Sequence, residues 1–177
     1  KIKVYNADIL KFDIKKINKK NLIILGNLPY NISSQILVKI IKLKKIFEIK
    51  DIVFMFQKEL GEKIVGKYPS KNYGRLSILS NYQLNFLNKF LVSPNCFYPK
   101  PKVTSMVIRF QPKKRKNYKI KDMNNLEKIT KILFSNKRKM INKNIKKILN
   151  AQQIEKIENL NCELRPAEID PQTYYKI

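Results

Sequence analysis

The sequence contains no histidine, only two cysteines and only four glycines among 177 residues. The absence of histidine excludes Ser-His and Cys-His triads, imidazole acid–base chemistry and histidine metal ligands. Cys96 and Cys162 form no Cys-x-x-Cys pair, so we expect two small core or boundary thiols rather than a zinc site or a disulfide, and no metal. Because there is no apolar run of ~18 residues and no signal peptide, we expect no membrane span and a reducing, cytoplasmic compartment.

Acidic residues are also scarce. Asp and Glu number 13 against 38 Lys and Arg, which gives a net charge of +25. The excess extends along the chain, since residues 113–177 carry 17 basic and 7 acidic side chains and the preceding part is basic too. A charge of this size attracts polyanions, of which nucleic acid is the commonest partner. The alternative is a compositional bias, because Lys, Asn and Ile are all abundant.

Two short apolar runs predict strands of a parallel sheet. Leu22–Leu25 has the length and composition of a buried central strand, and Ile52–Phe56 repeats the pattern. Lys1–Tyr5 alternates like the end of a further strand. Between the two runs, Ser33 or Ser34 is expected to cap a helix whose apolar positions recur at helical spacing, namely Ile36, Leu37, Ile40 and Ile41. An amphipathic segment, 59–65, follows the second run, so the order predicts a crossover α/β sheet.

The later sequence predicts a change of architecture near residue 113. Residues 76–84 indicate a buried helix or a helix-to-strand segment, and 86–92 and 103–110 indicate strands. The basic run 113–116 is a candidate linker, and 126–134, 141–149 and 153–160 indicate three helices. We therefore predict an α/β domain over residues 1–112 and a small all-helical domain over 113–177.

Asn27-Leu28-Pro29-Tyr30 comes directly after the first predicted strand, at the edge of an open α/β sheet where ligands bind. The lone pair of an exocyclic adenine amine is delocalised into the ring, which makes the amine a poor nucleophile. The side-chain oxygen of Asn27 and the carbonyl of Pro29 would accept its two hydrogens and localise that lone pair. Tyr30 offers a face on which a flipped base can stack. The alternative is a simple turn between strand and helix.

Six segments in order resemble the KsgA-type small-subunit ribosomal RNA adenine dimethyltransferases. They spread over nearly the whole chain, so the resemblance does not depend on the tetrapeptide alone. The segments are Gly26–Ser33, Gln57–Ile64, Tyr73–Ser77, Phe97–Ser105, Phe134–Lys139 and Arg165–Glu168.

This resemblance implies a Rossmann-like class I methyltransferase sheet followed by a small helical domain. It also implies transfer of methyl groups from S-adenosylmethionine to N6 of two adjacent adenines in a hairpin near the 3′ end of the small-subunit (16S) rRNA. The implied partner is therefore the immature small ribosomal subunit, and we expect a monomer.

The resemblance also assigns roles to individual residues. Asp8, with Ile9 beside it, is expected to accept a hydrogen bond from the adenine amine of the cofactor, and Asn27 to lie between cofactor and target amine. Phe97 corresponds to a second aromatic that stacks on the flipped adenine with Tyr30. The residues expected to contact RNA are Lys102, Lys137, Arg138 and Lys139. The alternative interpretations are a turn residue for Asp8, a core residue for Phe97 and a solvated helix face for the basic cluster.

One departure from the family pattern concerns the cofactor. The family has a glycine-rich loop after its first strand and an acidic residue after its second, and neither is found here, since the four glycines form no Gly-x-Gly. The chain also lacks an initiator methionine. We therefore expect a partial methyltransferase sheet with its first strands missing, which binds S-adenosylmethionine poorly and is inactive by itself.

Two other functions remain open from the sequence. One is a large-subunit rRNA adenine methylase of the erythromycin-resistance type, which has a similar tetrapeptide. Leu28, the Phe97–Ser105 loop and Arg165–Glu168 favour the small-subunit family. The other is a non-catalytic ribosome-assembly or transcription factor, against which the intact Asn27, Pro29 and Tyr30 argue.

Overall fold

The computed structural model describes residues 2–17, 21–43, 48–114, 118 and 120–177, with the side chains of Lys15 and Lys16 outside the description. Half of the predicted linker, residues 115 and 116, also lies outside the described residues. The chain divides into two compact units. The sheet unit comprises residues 1–58 and 87–112, and the helical unit comprises residues 59–86 and 113–177. The predicted domain division at residue 113 coincides with one of these boundaries and stays a prediction.

A mixed four-stranded sheet organises the sheet unit, in the order β1-β2-β4-β3. The strands are β1 (Leu22–Asn27), β2 (Ile49–Gln57), β3 (Leu84–Val92) and β4 (Ser105–Pro112). β1 pairs with β2 in parallel, and β2 pairs with β4 in antiparallel. Helix α1 (Ser33–Leu43) connects β1 to β2, so the predicted strand–helix–strand order and the α/β class are confirmed.

The centre of this sheet is β2, which pairs on both sides. Its residues Ile52, Phe54 and Phe56 are buried, and so are their partners on β4: Phe110, Ile108 and Met106. Apolar side chains at alternate positions of paired strands share one face, and each one fully buried contributes about 1.5–3 kcal/mol. On α1, all four predicted apolar positions are buried as expected.

Two predictions about the amino-terminal strands are wrong. β1 is not a central strand, because Ile23 and Leu25 are 59% and 72% exposed, and among the described residues only β2 pairs with it. Residues 2–5 form no strand either, and Ile2 and Val4 are almost fully exposed. A run of apolar residues indicates that both faces of a strand can be buried. Whether they are buried depends on whether other elements pack on each side of the strand.

The helical unit is built from short helices. These are α2 (Lys58–Ile64), α3 (Arg75–Gln83), α4 (Met123–Leu133), α5 (Asn142–Ile145), α6 (Ala151–Glu155) and α7 (Pro171–Lys176). α4 packs against α3, α5 and α7, with Leu126, Ile129 and Leu133 buried. The predicted helices at 141–149 and 153–160 are much shorter than expected, and α7 was not predicted. No helix in the described ranges has the length and apolar character that crossing a bilayer requires.

Candidate base, cofactor and RNA sites

Asn27 is the last residue of β1, opposite Met55 in the parallel ladder, and its side chain is exposed. Within the described residues its side-chain amide makes no hydrogen bond, so the oxygen is free to accept one. The preceding residue must be small. A Cβ on Gly26 would lie 2.7 Å from Cδ2 of Leu28 and 3.0 Å from Cδ1 of Phe54. Glycine at this position therefore allows the side chains of Leu28 and Phe54 to lie close to the strand.

The Pro29–Ser33 stretch forms the turn between β1 and α1. The carbonyl of Pro29 accepts a hydrogen bond from the Ile32 amide at 3.2 Å, and the Ser33 hydroxyl donates to the Tyr30 carbonyl at 3.1 Å. A carbonyl oxygen has two lone pairs, so Pro29 retains capacity for a second donor. The segment is therefore a turn, as the alternative interpretation predicted. The Asn27 side-chain oxygen and the Pro29 carbonyl can still accept hydrogen bonds.

The ring of Tyr30 is fixed by a hydrogen bond that the sequence did not indicate. The Tyr30 hydroxyl and Oγ of Ser105 lie 2.7 Å apart, and either can be the donor. Ser105 is fully buried and is the first residue of β4, opposite Gln57. It also ends the proline-containing loop that begins at Phe97. One buried hydroxyl therefore connects the two segments that carry the expected stacking aromatics.

Phe97 follows a short 3₁₀ turn, Pro94–Cys96, where its amide donates to the Pro94 carbonyl at 3.2 Å. Its side chain is half-buried, while that of Tyr98 is fully exposed. Lys102 is exposed in the same loop. Among the described residues, no hydrogen bond or ring contact joins Phe97 to Asp8 or Asn27.

Asp8 organises a tight turn. One carboxylate oxygen, Oδ1, accepts the Leu10 amide at 2.9 Å, and its backbone carbonyl accepts the amides of Lys11 and Phe12 at 3.0 and 2.8 Å. Asp8 therefore stabilises a turn, as the alternative interpretation predicted. Within the described ranges, however, Oδ2 of Asp8 and the amide of Ile9 have no hydrogen-bond partner. One free acceptor and one free donor thus stand on adjacent residues.

The basic residues after α4 line a groove of 540 Å³ in the helical unit. Lys137, Arg138 and Lys139 are exposed, and none forms an ion pair with a described residue. The cationic side chains of this basic groove are Lys63, Lys71, Arg75, Lys137, Arg138 and Arg165. A neighbouring groove of 520 Å³ shares Arg138 and Arg165 and adds Lys139, Lys143 and Lys147. The structure therefore brings together basic residues that are up to ~100 positions apart in sequence.

Among the described residues, two cations of the basic groove, Arg75 and Lys63, form ion pairs, and no ion pair is found for the others. Arg75 contacts Glu127 at 3.1 Å, and Lys63 contacts Glu59 at 2.6 Å. The hydrogen bond from Lys63 lowers the pKa of Glu59. Phe134 supplies aromatic surface beside the charges and stacks on the buried Tyr174 ring at 5.9 Å, while Tyr73 lines the groove but is itself buried. The groove thus combines unpaired cations with aromatic rings, as nucleic-acid sites commonly do.

Solved structures identify the class of protein. The chain superimposes on a dimethyladenosine transferase from Plasmodium falciparum with a TM-score of 0.71 and 25% identity, over 97% of this chain and 69% of the other. It also superimposes on the 23S rRNA methyltransferase ErmE with a TM-score of 0.64 and 19% identity, over 97% of this chain and 68% of the other, which shows a common fold. The fold is that of the rRNA methyltransferases.

Sequence relatives identify the family. The family model for ribosomal RNA adenine dimethylase matches residues 1–176. A protein from Pelagibacter ubique named ribosomal RNA small subunit methyltransferase A is 40% identical over 99% of this chain and 68% of its own length. A protein of the same name from Francisella tularensis subsp. novicida is 42% identical over 86% of this chain and 58% of its own length. The chain belongs to the ribosomal RNA adenine dimethylase family.

Proposed function

We propose that the protein carrying this chain transfers methyl groups to N6 of two adjacent adenines near the 3′ end of small-subunit rRNA, with S-adenosylmethionine as methyl donor. The observation that carries the proposal is the Asn27–Tyr30 segment at the carboxyl end of β1. Within the part of the chain that the structure describes, the Asn27 oxygen is free, the Pro29 carbonyl keeps one lone pair, and the Tyr30 hydroxyl is hydrogen-bonded to Ser105. Family membership and the names of the relatives from Pelagibacter and Francisella support the reaction and the small-subunit substrate.

Two acceptors of this chain activate the target amine. The Asn27 side-chain oxygen and the second lone pair of the Pro29 carbonyl would accept the two N6 hydrogens of adenine. Accepting both hydrogens draws the nitrogen towards tetrahedral geometry, which localises its lone pair outside the ring plane. Charge stabilisation by fixed dipoles of this kind requires no titrating group, which agrees with the absence of histidine. S-adenosylmethionine, when bound, supplies the electrophilic methyl group. N6 would release one hydrogen as a proton to solvent for each methyl group it gains, so only one N6 hydrogen remains to be accepted in the second transfer.

Tyr30 and Phe97 would hold the flipped base. Each offers an aromatic face, and stacking of a base on such a face contributes about 1–3 kcal/mol. The hydroxyl contact between Tyr30 and the buried Ser105 restrains the position of the Tyr30 ring, so the ring is in place before the base arrives.

A double-mutant cycle tests the role of Ser105. Tyr30→Phe and Ser105→Ala each remove one hydroxyl of the same hydrogen bond, and we expect each to lower the methyl-transfer rate by about 3–10-fold. Because both changes remove one interaction, the double variant is expected to be no slower than the more affected single variant. Single-turnover assays measure the rates. Multiplication of the two losses in the double variant would show that the hydroxyls act separately.

The cofactor's adenine fits the free groups of the Asp8 turn. Adenine presents an N6 donor beside the N1 acceptor on its Watson–Crick edge, which is complementary to the free Oδ2 of Asp8 and the free amide of Ile9. The residues present are therefore compatible with this end of S-adenosylmethionine. In this proposal Asn27 lies beside the part of S-adenosylmethionine that carries the transferred methyl group.

Phosphate contacts are assigned to the basic groove and to Lys102. The exposed Lys137, Arg138 and Lys139 have no acidic partner among the described residues, so phosphates are the counter-charges they would take. We further propose that the protein acts as a monomer on the immature small subunit in a bacterial cytoplasm. The names of the relatives from Pelagibacter and Francisella support the small-subunit substrate. The large-subunit alternative has support from its similar tetrapeptide and, among the comparisons, from the fold shared with ErmE.

Particle specificity is the test of this function. The protein carrying this chain is incubated with radiolabelled S-adenosylmethionine and with either immature small subunits or large subunits that lack methylation. We expect label only in the small-subunit rRNA, mapped to adjacent adenines of the 3′ hairpin. Label confined to large-subunit rRNA would support the erythromycin-resistance type instead, and rRNA binding without any label would support a non-catalytic factor.

A further inference from the structure

Lys39 lies on α1 and directs its ammonium group to the turn of Asp8. Its Nζ donates to the carbonyls of Ile9, Leu10 and Phe12 at 2.9, 2.9 and 2.7 Å. An ammonium group has three donors, so these three carbonyls use its full capacity. Lys39 is half-buried, and its donors are satisfied by backbone, which sets it apart from the exposed lysines that face solvent or phosphate.

The same turn is held from its other side by Asp8. The Ile9 carbonyl and the Leu10 amide belong to one planar peptide group, with Lys39 bonded to the oxygen and Asp8 Oδ1 bonded to the nitrogen. The next peptide group is held in the same way, since Lys39 donates to the Leu10 carbonyl and the Asp8 carbonyl accepts from the Lys11 amide. Rotation of either peptide group would therefore break two hydrogen bonds at once.

We propose that Lys39 is a positioning residue for the adenine end of the cofactor site. By fixing the two peptide groups that follow Ile9, it keeps the free Asp8 Oδ2 and the free Ile9 amide side by side in one orientation. Because the turn is ordered before binding, the free energy of binding does not include a loss of conformational entropy in the turn. This role rests on the proposed function, because it concerns the cofactor of that reaction. In this role Lys39 would act through the turn, without contacting cofactor or RNA.

The position of α1 gives this role a further consequence. The helix begins at Ser33, whose hydroxyl donates to the Tyr30 carbonyl, and Lys39 lies almost two turns along it. One helix is thus hydrogen-bonded to the target-base segment near its amino end and to the Asp8 turn further along. Removing the ammonium loosens only the second connection, so the target-base segment is left in place.

The experiment compares Lys39→Met, Lys39→Arg and the matched control Lys50→Met in the protein carrying this chain. Lys50 is exposed on β2, so its replacement makes the same charge change away from the turn. Titration calorimetry with S-adenosylhomocysteine, which has no methyl group to transfer, is expected to show about tenfold weaker binding for Lys39→Met and unchanged binding for Lys50→Met. Lys39→Arg, which retains donors, is expected to lie between them.

Two further readouts separate positioning from general damage. The KM for S-adenosylmethionine should rise in Lys39→Met, while kcat and the affinity for rRNA stay at the wild-type values. Hydrogen exchange of the Leu10 and Lys11 amides should also become faster. Wild-type affinity for S-adenosylhomocysteine in Lys39→Met, or an equal loss in Lys50→Met, would overturn the proposal. If wild-type protein binds no S-adenosylhomocysteine and methylates no rRNA, the proposed function itself fails, and the role of Lys39 fails with it.

Discussion

Replacement of Asn27 by alanine is expected to slow methyl transfer by about 10²–10³-fold, as does the removal of one preorganised group from other polar active sites. The side chain is exposed at the end of β1 and makes no hydrogen bond within the described residues, so its removal leaves no buried partner unsatisfied. We therefore expect the free energy of unfolding and the affinity for rRNA to change little. Single-turnover methylation, thermal unfolding and an rRNA binding assay measure the three quantities.

Two further variants make this prediction specific. Asn27→Asp keeps an oxygen acceptor and should lose less activity than Asn27→Ala. Asn88→Ala removes an exposed amide from β3 in the same unit and should leave the rate unchanged. A wild-type rate in Asn27→Ala would refute the role of the side-chain oxygen. A large loss of stability would mean that the residue is structural.

Neutralising the cluster after α4 is expected to produce the largest effect on RNA binding. In a variant with Lys137, Arg138 and Lys139 all replaced by alanine, we expect affinity for small-subunit rRNA to fall by about 10²-fold at physiological salt. Each lost phosphate contact reduces the slope of log affinity against log salt by about 0.7–0.9, so the slope should fall by about two to three. Binding measured at several salt concentrations gives both values.

A second triple variant controls for net charge. Lys128, Lys131 and Lys156 are exposed in the same helical unit and do not line either basic groove. Their replacement by alanine removes the same charge, and we expect only a small loss of affinity. Equal losses in the two triple variants would contradict a specific role for the groove and would assign RNA binding to the overall charge of +25.

The order of elements could be predicted because each strand or helix of the first half carries its own local pattern. The runs at Leu22–Leu25 and Ile52–Phe56 became β1 and β2, and the helical spacing at Ile36–Ile41 became α1. The exposure of Ile23 and Leu25 could not be predicted in the same way. A run of apolar residues does not indicate which strands will pair with it.

The candidate site was predictable to the extent that it lies in one continuous segment. Asn27 ends β1, and Pro29 and Tyr30 follow it directly. Their roles stay predictions together with those of Asp8, Ile9, Phe97 and Lys102. The contacts that hold these segments could not be predicted. Ser105 is 75 residues from Tyr30, and Lys39 is one of many lysines in a lysine-rich chain, about 30 residues from its acceptors. No periodicity connects positions so far apart.

The helical unit shows the same limit. The sequence indicated a basic cluster at Lys137–Lys139, and Lys63, Lys71 and Arg75 lie far from that cluster along the chain. Only the folded chain places members of both in one groove beside Arg165. The short helices α5 and α6 were overestimated because apolar residues continue at helical spacing after the hydrogen-bonded turns have ended.

Nucleoside analysis of the rRNA product tests the central claim most directly. Immature small subunits are incubated with S-adenosylmethionine and either wild-type protein or Asn27→Ala, and the purified rRNA is digested to nucleosides and analysed by mass spectrometry. The account predicts N6,N6-dimethyladenosine with the wild-type protein and almost none with the variant at equal rRNA occupancy. Methylation at a ring nitrogen or on another base, or equal amounts of dimethyladenosine from the two proteins, would contradict it.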